Sequence, residues 1–140
     1  MKILLPVDGS PFTQKMLEYV VSATAPFNKE HEFVVMTVVT PLLPQAAGML
    51  GKEAVDDYYR ETADKVLQPA LKVLQDKGYK HSGGFKIGYV SEALPEEATE
   101  GGYGLVVMGS HGHGALGNLV LGSVANAMLS KTKIPVLLIR

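Results

Sequence analysis

Glycines, a serine and two histidines are concentrated in one segment of the chain, residues 109–123. The segment reads GSHGHGALGNLVLGS and lies between an apolar run that predicts a strand and a run that predicts a helix. Glycines let backbone N–H groups approach a phosphate closely and adopt positive φ. The start of a helix adds unpaired N–H donors and about half a positive charge. The segment therefore predicts an anion-binding loop that needs neither lysine nor arginine.

Two familiar glycine motifs do not account for this segment. Gly112, Gly114 and Gly117 match the dinucleotide fingerprint G-x-G-x-x-G as a string. That fingerprint also requires a further βαβ unit and an acidic residue about 20 positions later. The sequence reaches Arg140 without these features, so we interpret the match as accidental. The Walker A pattern fails as well, because Gly117 and Gly122 have its spacing but Gly122 is followed by Ser123 instead of the required lysine.

A second polar segment, DGSP at residues 8–11, follows the apolar run of residues 3–7. Ser10 is suited to be the N-cap of a helix, with Pro11 as its first residue. Asp8 fits two interpretations: a turn residue before Ser10, or a carboxylate that contacts a ligand.

The elements that would position these two segments alternate between strand and helix. Apolar runs predict buried strands at residues 3–7, 33–39, 105–108 and 134–139, and alternation predicts a half-exposed edge strand at residues 85–89. Helical spacing predicts helices at residues 11–25, 52–77, 92–100 and 123–130, with Gly78 as the stop of the second. Residues 41–51, with two prolines and two glycines, are predicted to form a loop or flap. This alternation predicts an α/β fold with a doubly wound parallel sheet, in a single domain over residues 1–140.

The composition limits the classes of function. A formal net charge of −1 argues against binding of nucleic acid through a basic surface. The absence of cysteine excludes a disulfide framework and a thiolate zinc site. No stretch approaches the roughly 20 apolar residues of a membrane span, and the apolar run before Asp8 lacks the features of a signal peptide. We therefore expect a cytoplasmic protein without a membrane partner.

A third glycine pattern fits every position. Gly109, Gly112, Gly122 and Ser123 match G-x-x-G, nine residues, then G-S, which is found in the universal stress proteins that bind ATP. The start ILLPVDGS (residues 3–10) and the end IPVLLIR (residues 134–140) are also similar to that family. The sequence thus resembles the universal stress protein family over its whole length, least closely between residues 41 and 90. The resemblance implies an open five-stranded sheet of order 3-2-1-4-5 with helices on both faces, the adenine nucleotide alpha hydrolase-like fold.

This strand order implies where a ligand would bind. Open parallel sheets bind ligands beyond the carboxyl ends of the strands where the crossover direction reverses. Strands one and four meet at that point, so the segments after them would face one crevice. By resemblance, residues after strand one contact adenosine, backbone near Val39 meets the adenine edge, and the glycine segment holds ribose and phosphates. The implied nucleotide-binding residues are Pro6, Val7, Asp8, Val39, Met108, Gly109, Gly112, Gly122, Ser123 and Val124.

The resemblance also implies the cofactors. The nucleotide would be ATP, or else ADP or AMP. Residues 110–130 contain no lysine or arginine, so Mg²⁺ or Mn²⁺ would accompany the phosphates. We expect the phosphates to hold most of the metal's coordination, with Asp8 as a candidate protein contact.

Several residues have a plain structural interpretation beside the functional one. Ser123 fits a helix N-cap as well as a phosphate contact. His111 and His113 are expected to be solvated or next to phosphate rather than a metal pair, since further ligands are missing from the sequence pattern. Glu96 and Glu97 are expected to form a solvated helix face. We recognise no catalytic residues, because the sequence shows no triad, metal-hydroxide cluster or acid/base pair.

The resemblance implies an ATP-binding regulator in the stress response, with at most slow ATP hydrolysis. Two alternatives stay open: a nucleotidyl- or phosphoryl-transfer enzyme of a related fold, and a nucleotide-independent dimeric scaffold. The last strand is entirely apolar at residues 136–139 and would lie at the sheet edge. Family members cover this edge with the same strand of a second subunit, which implies a homodimer.

Overall fold

The computed structural model describes residues 1–113, 118 and 120–140. Within these residues strands and helices alternate along the chain, except that two helices, α2 and α3, follow β2. In chain order the elements are β1 (Lys2–Pro6), α1 (Pro11–Val20), β2 (Glu32–Val39), α2 (Pro44–Leu50), α3 (Lys52–Lys77), β3 (Lys80–Ile87), α4 (Val90–Glu100), β4 (Leu105–Gly109), α5 (Ser123–Lys131) and β5 (Val136–Ile139).

The strands form one parallel sheet of order β3-β2-β1-β4-β5. The chain first builds outward from β1 to β3, then returns to the other side of β1 with β4. This reversal places the carboxyl ends of β1 and β4 side by side. The expected open doubly wound sheet, with its strand order, is confirmed.

The central strands β1, β2 and β4 are buried on both faces of the sheet, and their side chains alternate between two cores. In β1, Ile3 and Leu5 belong to the core under α1 and α3, whereas Leu4 belongs to the core under α4 and α5. All three side chains are fully buried. The continuously apolar strands of the sequence are explained by these two cores.

Local signals place the start of α1 and the end of α3 as predicted. Ser10 Oγ accepts a hydrogen bond from Thr13 N at 3.3 Å, and Pro11 is the first residue of α1. Helix α3 ends at Gly78, whose φ of 78° is the left-handed conformation that glycine adopts readily.

The prediction of a loop or flap at residues 41–51 is wrong for residues 44–50, which form helix α2. The sequence argument took Pro44 and Gly51 as breakers. In the structure Pro44 lies in the first turn and Gly51, with φ 81°, closes the last turn by donating to Ala47 O. Proline at the beginning and glycine just past the end are the usual positions of these residues around a helix.

The edge strand β3 is also longer than predicted and ends earlier. It begins at Lys80 and ends at Ile87, while Tyr89, expected in the strand, is the N-cap of α4. The polar residues and paired glycines of its first half conceal the strand in the sequence. Pairing with β2 over residues 80–87 defines it instead.

No helix in the described part of the chain is both long and apolar enough to cross a membrane.

Candidate functional site

A crevice of about 480 Å³ opens where the carboxyl ends of β1 and β4 meet. The described residues that line it are Pro6, Val7, Asp8, Thr13, Met36, Thr37, Val38, Thr40, Val90, Leu94, Met108, Gly109, His111, Gly112, His113, Gly122, Ser123, Val124 and Ala125. The two chemically distinctive segments of the sequence therefore lie on the same cavity. Nine of the ten predicted site residues line it; Val39 does not.

One wall of the crevice is apolar and is made by regular elements. Strands β2 and β4 and helices α4 and α5 contribute side chains that extend the core on that face of the sheet. These are Met36, Val38, Leu94, Met108, Val124 and Ala125. We call these six residues the apolar wall. A flat apolar ring that lies against the apolar wall would be shielded from water.

Val39 faces away from this wall. Its side chain is buried in the opposite core with α1 and α3, and its carbonyl oxygen accepts a 3.0 Å hydrogen bond from Gly88 N. Its neighbours Val38 and Thr40 line the crevice instead. Strict alternation along β2 was the sequence signal that could have placed Val38 on the crevice side.

The opposite wall is polar and begins with the loop after β1. Asp8 Oδ1 accepts hydrogen bonds from Ser10 N at 2.9 Å and from Thr13 Oγ1 at 2.7 Å. Asp8 N in turn donates to Thr13 Oγ1 at 3.1 Å. Asp8 Oδ1 therefore has the role of a turn residue, as one of the two interpretations expected. The residue also lines the crevice, as the other interpretation requires.

These contacts set the charge of Asp8. Burial by itself would raise the pKa of the Asp8 carboxyl, but hydrogen bonds from Ser10 and Thr13 and the nearby His113 outweigh burial. The pKa is held below its ordinary value of 3.8. Asp8 is consequently a carboxylate at neutral pH, with its charge anchored at the start of α1.

The glycine segment is attached to this loop by His113. Its backbone N–H donates to Asp8 Oδ2 at 3.3 Å, and its Nε2 donates to Asp8 O at 2.7 Å. Because a carbonyl oxygen can only accept, the proton of this contact lies on Nε2. The two loops thus hold each other, and the structure adds to the expected position of His113 its contacts with Asp8.

The motif glycines are distinguished by close packing rather than by positive φ. A Cβ on Gly112 would lie 2.6 Å from Asp8 Oδ2. One on Gly109 would lie 2.8 Å from Phe12 Cβ, and one on Gly122 would lie 3.1 Å from His111 Cα. None of these three glycines has positive φ. Gly114 and Gly117, part of the rejected dinucleotide match, lie outside the described residues.

Helix α5 begins at the crevice with Gly122 as its N-cap and Ser123 as its first residue. The interpretation of Ser123 as a helix N-cap is therefore wrong, because the cap is Gly122 and it makes no side-chain hydrogen bond. Ser123 is exposed on the crevice surface. Ser123 is in the first turn of α5, and the first N–H groups of a helix have no partner within it, so this position is suited to an anion.

Charged and metal-binding groups are few in this cavity. Its described lining residues include one carboxylate, Asp8, two histidines, and no lysine or arginine. His111 Nδ1 is hydrogen-bonded to Ser110 Oγ at 2.8 Å, and its ring packs 5.0 Å from the Phe12 ring. Across the described residues, no three His, Asp or Glu side chains are grouped to hold a metal ion.

The fold and the crevice define a doubly wound α/β protein with a site for a small ligand at the point where strand order reverses. The chain belongs to the universal stress protein family, whose model matches residues 1–140. The family suggested by the sequence is thus confirmed, whereas its ATP-binding subgroup stays a prediction.

Individual relatives agree with this assignment. The chain is 32% identical to universal stress protein Slr1230 of Synechocystis, covering 99% of this chain and 42% of that protein. It is 27% identical to universal stress protein MJ0577 of Methanocaldococcus jannaschii, covering 94% of that protein. The solved structure of MJ0577 superposes with a TM-score of 0.81 over 99% of this chain and 94% of that one.

A more distant member shares the fold. The universal stress family protein At3g01520 of Arabidopsis thaliana, solved with AMP bound, is 13% identical to this chain. It superposes with a TM-score of 0.69 and covers 99% of this chain and 90% of that one.

Proposed function

We propose that the crevice binds an adenine nucleotide, ATP in the first place, and that the protein acts as a nucleotide-dependent regulator in the stress response. The observation that carries the proposal is the meeting of the Asp8 loop and the glycine segment beside the apolar wall. Membership of the family and the AMP bound to a relative of the same fold support the choice of ligand.

The two walls suit the two ends of a nucleotide. The base would lie against the apolar wall between α4 and α5, where desolvation favours an aromatic ring. The phosphates would lie at the start of α5, near Gly122 and Ser123, where amide dipoles favour negative charge. Asp8, which follows β1 and lines the crevice, would then face the ribose hydroxyls.

A divalent cation would complete the phosphate end. The described lining brings no lysine or arginine to offset the phosphate charge, so Mg²⁺ or Mn²⁺ would be carried by the nucleotide itself. Asp8 Oδ2 is the carboxylate oxygen with the weaker protein contact, at 3.3 Å. It is therefore the protein atom best suited to reach such an ion.

We propose binding, with at most slow hydrolysis. Within the described lining, Asp8 Oδ1 accepts hydrogen bonds from Ser10 and Thr13, and Nε2 of His113 donates to Asp8 O. These contacts hold the pKa of Asp8 below its ordinary value, and a carboxylate of low pKa is a weak general base for an attacking water.

Calorimetric titration with ATP, ADP, AMP and GTP in Mg²⁺ tests this function. It would be combined with mass spectrometry of small molecules released from the denatured, purified chain. Adenine nucleotides should bind more tightly than GTP. The proposal fails if no adenine nucleotide is released and none binds up to about millimolar concentration, the weak end of the affinity scale.

The proposal includes a cytoplasmic homodimer that pairs through β5. The outer edge of β5 carries no charged residue within Val136–Ile139, whereas the opposite edge strand β3 carries Lys80 and Lys86. Lysines on an edge discourage pairing with another chain, and an apolar edge invites it.

The backbone of β5 provides the test of the dimer. Its ladder to β4 uses the carbonyls of Pro135 and Ile139, so by alternation the N–H of Leu138 points outward. Leu138→Pro removes that outward N–H. Leu138→Ala also loses the packing of the leucine side chain but keeps the N–H. Light scattering should show a monomer for the first variant and a dimer for the second. If both variants are dimers, or if the unaltered protein is a monomer, dimerisation through the edge of β5 is contradicted.

A further inference from the structure

Ser110 lies directly behind the polar wall of the crevice. It is fully buried and stands between Gly109 and His111, which both line the cavity. Ser110 Oγ is hydrogen-bonded to His111 Nδ1 at 2.8 Å. The side chain of Ser110 is therefore attached to a residue that a ligand in the crevice would touch.

The backbone of Ser110 connects the crevice to two further elements. Its carbonyl oxygen accepts a 2.8 Å hydrogen bond from the N–H of Gly122, the N-cap of α5. Its N–H donates a 2.8 Å hydrogen bond to the carbonyl of Ile139, the last residue of β5. One buried residue thus joins the glycine segment, the start of α5 and the end of the outer strand.

Strand β5 is short and has a strand partner on one side only. Among the described strands it pairs with β4 alone, and all four of its residues are only half-buried. Such a strand opens locally more easily than the buried centre of the sheet. The contact between Ser110 N and Ile139 O lies at the end of this ladder, where the strand would begin to open.

We infer that Ser110 couples occupancy of the crevice to the order of β5. A ligand that fixes Gly109, His111 or Gly122 also fixes Ser110, which then holds the Ile139 carbonyl and slows opening of the strand. This coupling rests on the proposed nucleotide site, because it needs an occupied crevice. Linkage requires the converse as well: holding the end of β5 tightens nucleotide binding. The coupling would also connect nucleotide occupancy with the edge proposed for dimerisation.

Hydrogen exchange of the full chain, followed by mass spectrometry with and without saturating ATP and Mg²⁺, tests the coupling directly. Exchange in residues 137–140 should slow by about fivefold or more, the lower end of typical couplings between sites. The slowing should be present at protein concentrations where the chain is monomeric. Residues 80–83, at the far end of the opposite edge strand, serve as the internal control and should change less.

The outcomes separate this coupling from the function on which it rests. If ATP binds in calorimetry but exchange in β5 is unchanged, or slows only where a dimer forms, the coupling through Ser110 is overturned and nucleotide binding stands. If ATP does not bind, both the proposed function and the coupling fail.

A pair of variants tests the converse effect on affinity. Removing residues 139–140 deletes the carbonyl that accepts from Ser110 N, while Ile139→Ala shortens the side chain and keeps that carbonyl. We expect ATP affinity to fall about fivefold or more in the truncated chain and to change little in Ile139→Ala. Equal affinities would contradict the role of this hydrogen bond. If the truncated chain fails to fold, the exchange experiment on the unaltered chain still shows whether the crevice and β5 are coupled.

Discussion

The two walls of the crevice are held in place by different forces. The apolar wall consists of side chains on β2, β4, α4 and α5 that are continuous with the core. The polar wall consists of two loops that hold each other through Asp8, Gly112 and His113. Packing of regular elements is tolerant of small changes when volume is conserved. A wall made by loop contacts depends on individual atoms, so we expect it to be the more sensitive of the two.

The largest effect is expected where the two loops approach most closely. Gly112→Ala would place a Cβ 2.6 Å from Asp8 Oδ2, so the Asp8 carboxylate or one of the two loops must shift. We expect a loss of about 1–3 kcal/mol in the free energy of unfolding, and weaker ATP binding, measured by denaturation and calorimetry. Gly48→Ala is the matched control, because a Cβ there meets nothing within 4 Å and lies in a helix where alanine is favoured. Equal behaviour of the two variants would contradict a polar wall held by close contact.

A change in the apolar wall should affect one end of the ligand only. Val38→Phe fills part of the space proposed for the base, and we expect ATP affinity to fall roughly tenfold, the equivalent of about 1.4 kcal/mol of overpacking. Inorganic tripolyphosphate, which has no base, should bind as it does to the unaltered chain. A parallel loss for both ligands would show that the two walls do not act separately.

Asp8 allows the structural and ligand roles of the polar wall to be distinguished. Asp8→Ala loses the acceptor for Ser10 N and Thr13 Oγ1, so we expect about 1–2 kcal/mol less stability. Asp8→Asn keeps an oxygen acceptor for both donors and removes the charge. It should therefore be more stable than Asp8→Ala, while both variants lose the contact proposed for ribose or metal. Nucleotide affinity that is unchanged in Asp8→Asn would show that the residue serves the turn alone.

The charge of Asp8 also predicts a dependence on pH. Its pKa is lowered in the folded chain, so its contribution to stability is fully present above the ordinary pKa of 3.8. That contribution is lost as the pH falls below this value and through the lowered pKa. Denaturation curves measured between neutral and acid pH should show a smaller loss of stability in Asp8→Asn than in the parent chain. Identical acid sensitivity would show that other carboxylates determine it.

The smallest effect is expected at Ser123. Its side chain does not cap α5 and is exposed at the crevice, so Ser123→Ala should leave the free energy of unfolding unchanged. Loss of one hydrogen bond to phosphate should weaken ATP binding about three- to tenfold. Ser130→Ala, which removes a hydroxyl bonded to Ala127 O within α5, should leave the affinity unchanged. If both variants weaken ATP binding equally, Ser123 does not make the proposed contact with the phosphates.

Much of the fold could be predicted because its signals are local. Ser10 and Pro11 mark the start of α1, and Gly78 ends α3 in the left-handed conformation. Helix α2 was missed although its proline and glycine stand at ordinary helix boundaries, because the helix buries no side chain and has no apolar periodicity. Strand β3 was mostly missed because pairing with β2, rather than its own residues, defines it.

The site was predicted in outline and corrected in detail. The loops after β1 and β4 were expected to converge, and the crevice brings them together. The contact expected between the backbone near Val39 and the adenine edge stays a prediction, and the neighbouring Val38 lines the apolar wall. Gly122 rather than Ser123 is the N-cap of α5, a shift of one residue that changes the role of a position at the helix end.

The sequence by itself determined the alternation of strands and helices, the family, and the segments that carry polar chemistry, because periodicity, capping residues and glycine spacing are properties of neighbouring residues. Only the tertiary structure decided what those segments touch. A Cβ on Gly112 would collide with the carboxylate of Asp8, a residue far away in the chain. Ser110 acquires a connecting position because Ile139 ends a strand beside it. Contacts between residues distant in sequence depend on how the sheet is wound, and a local pattern does not contain that information.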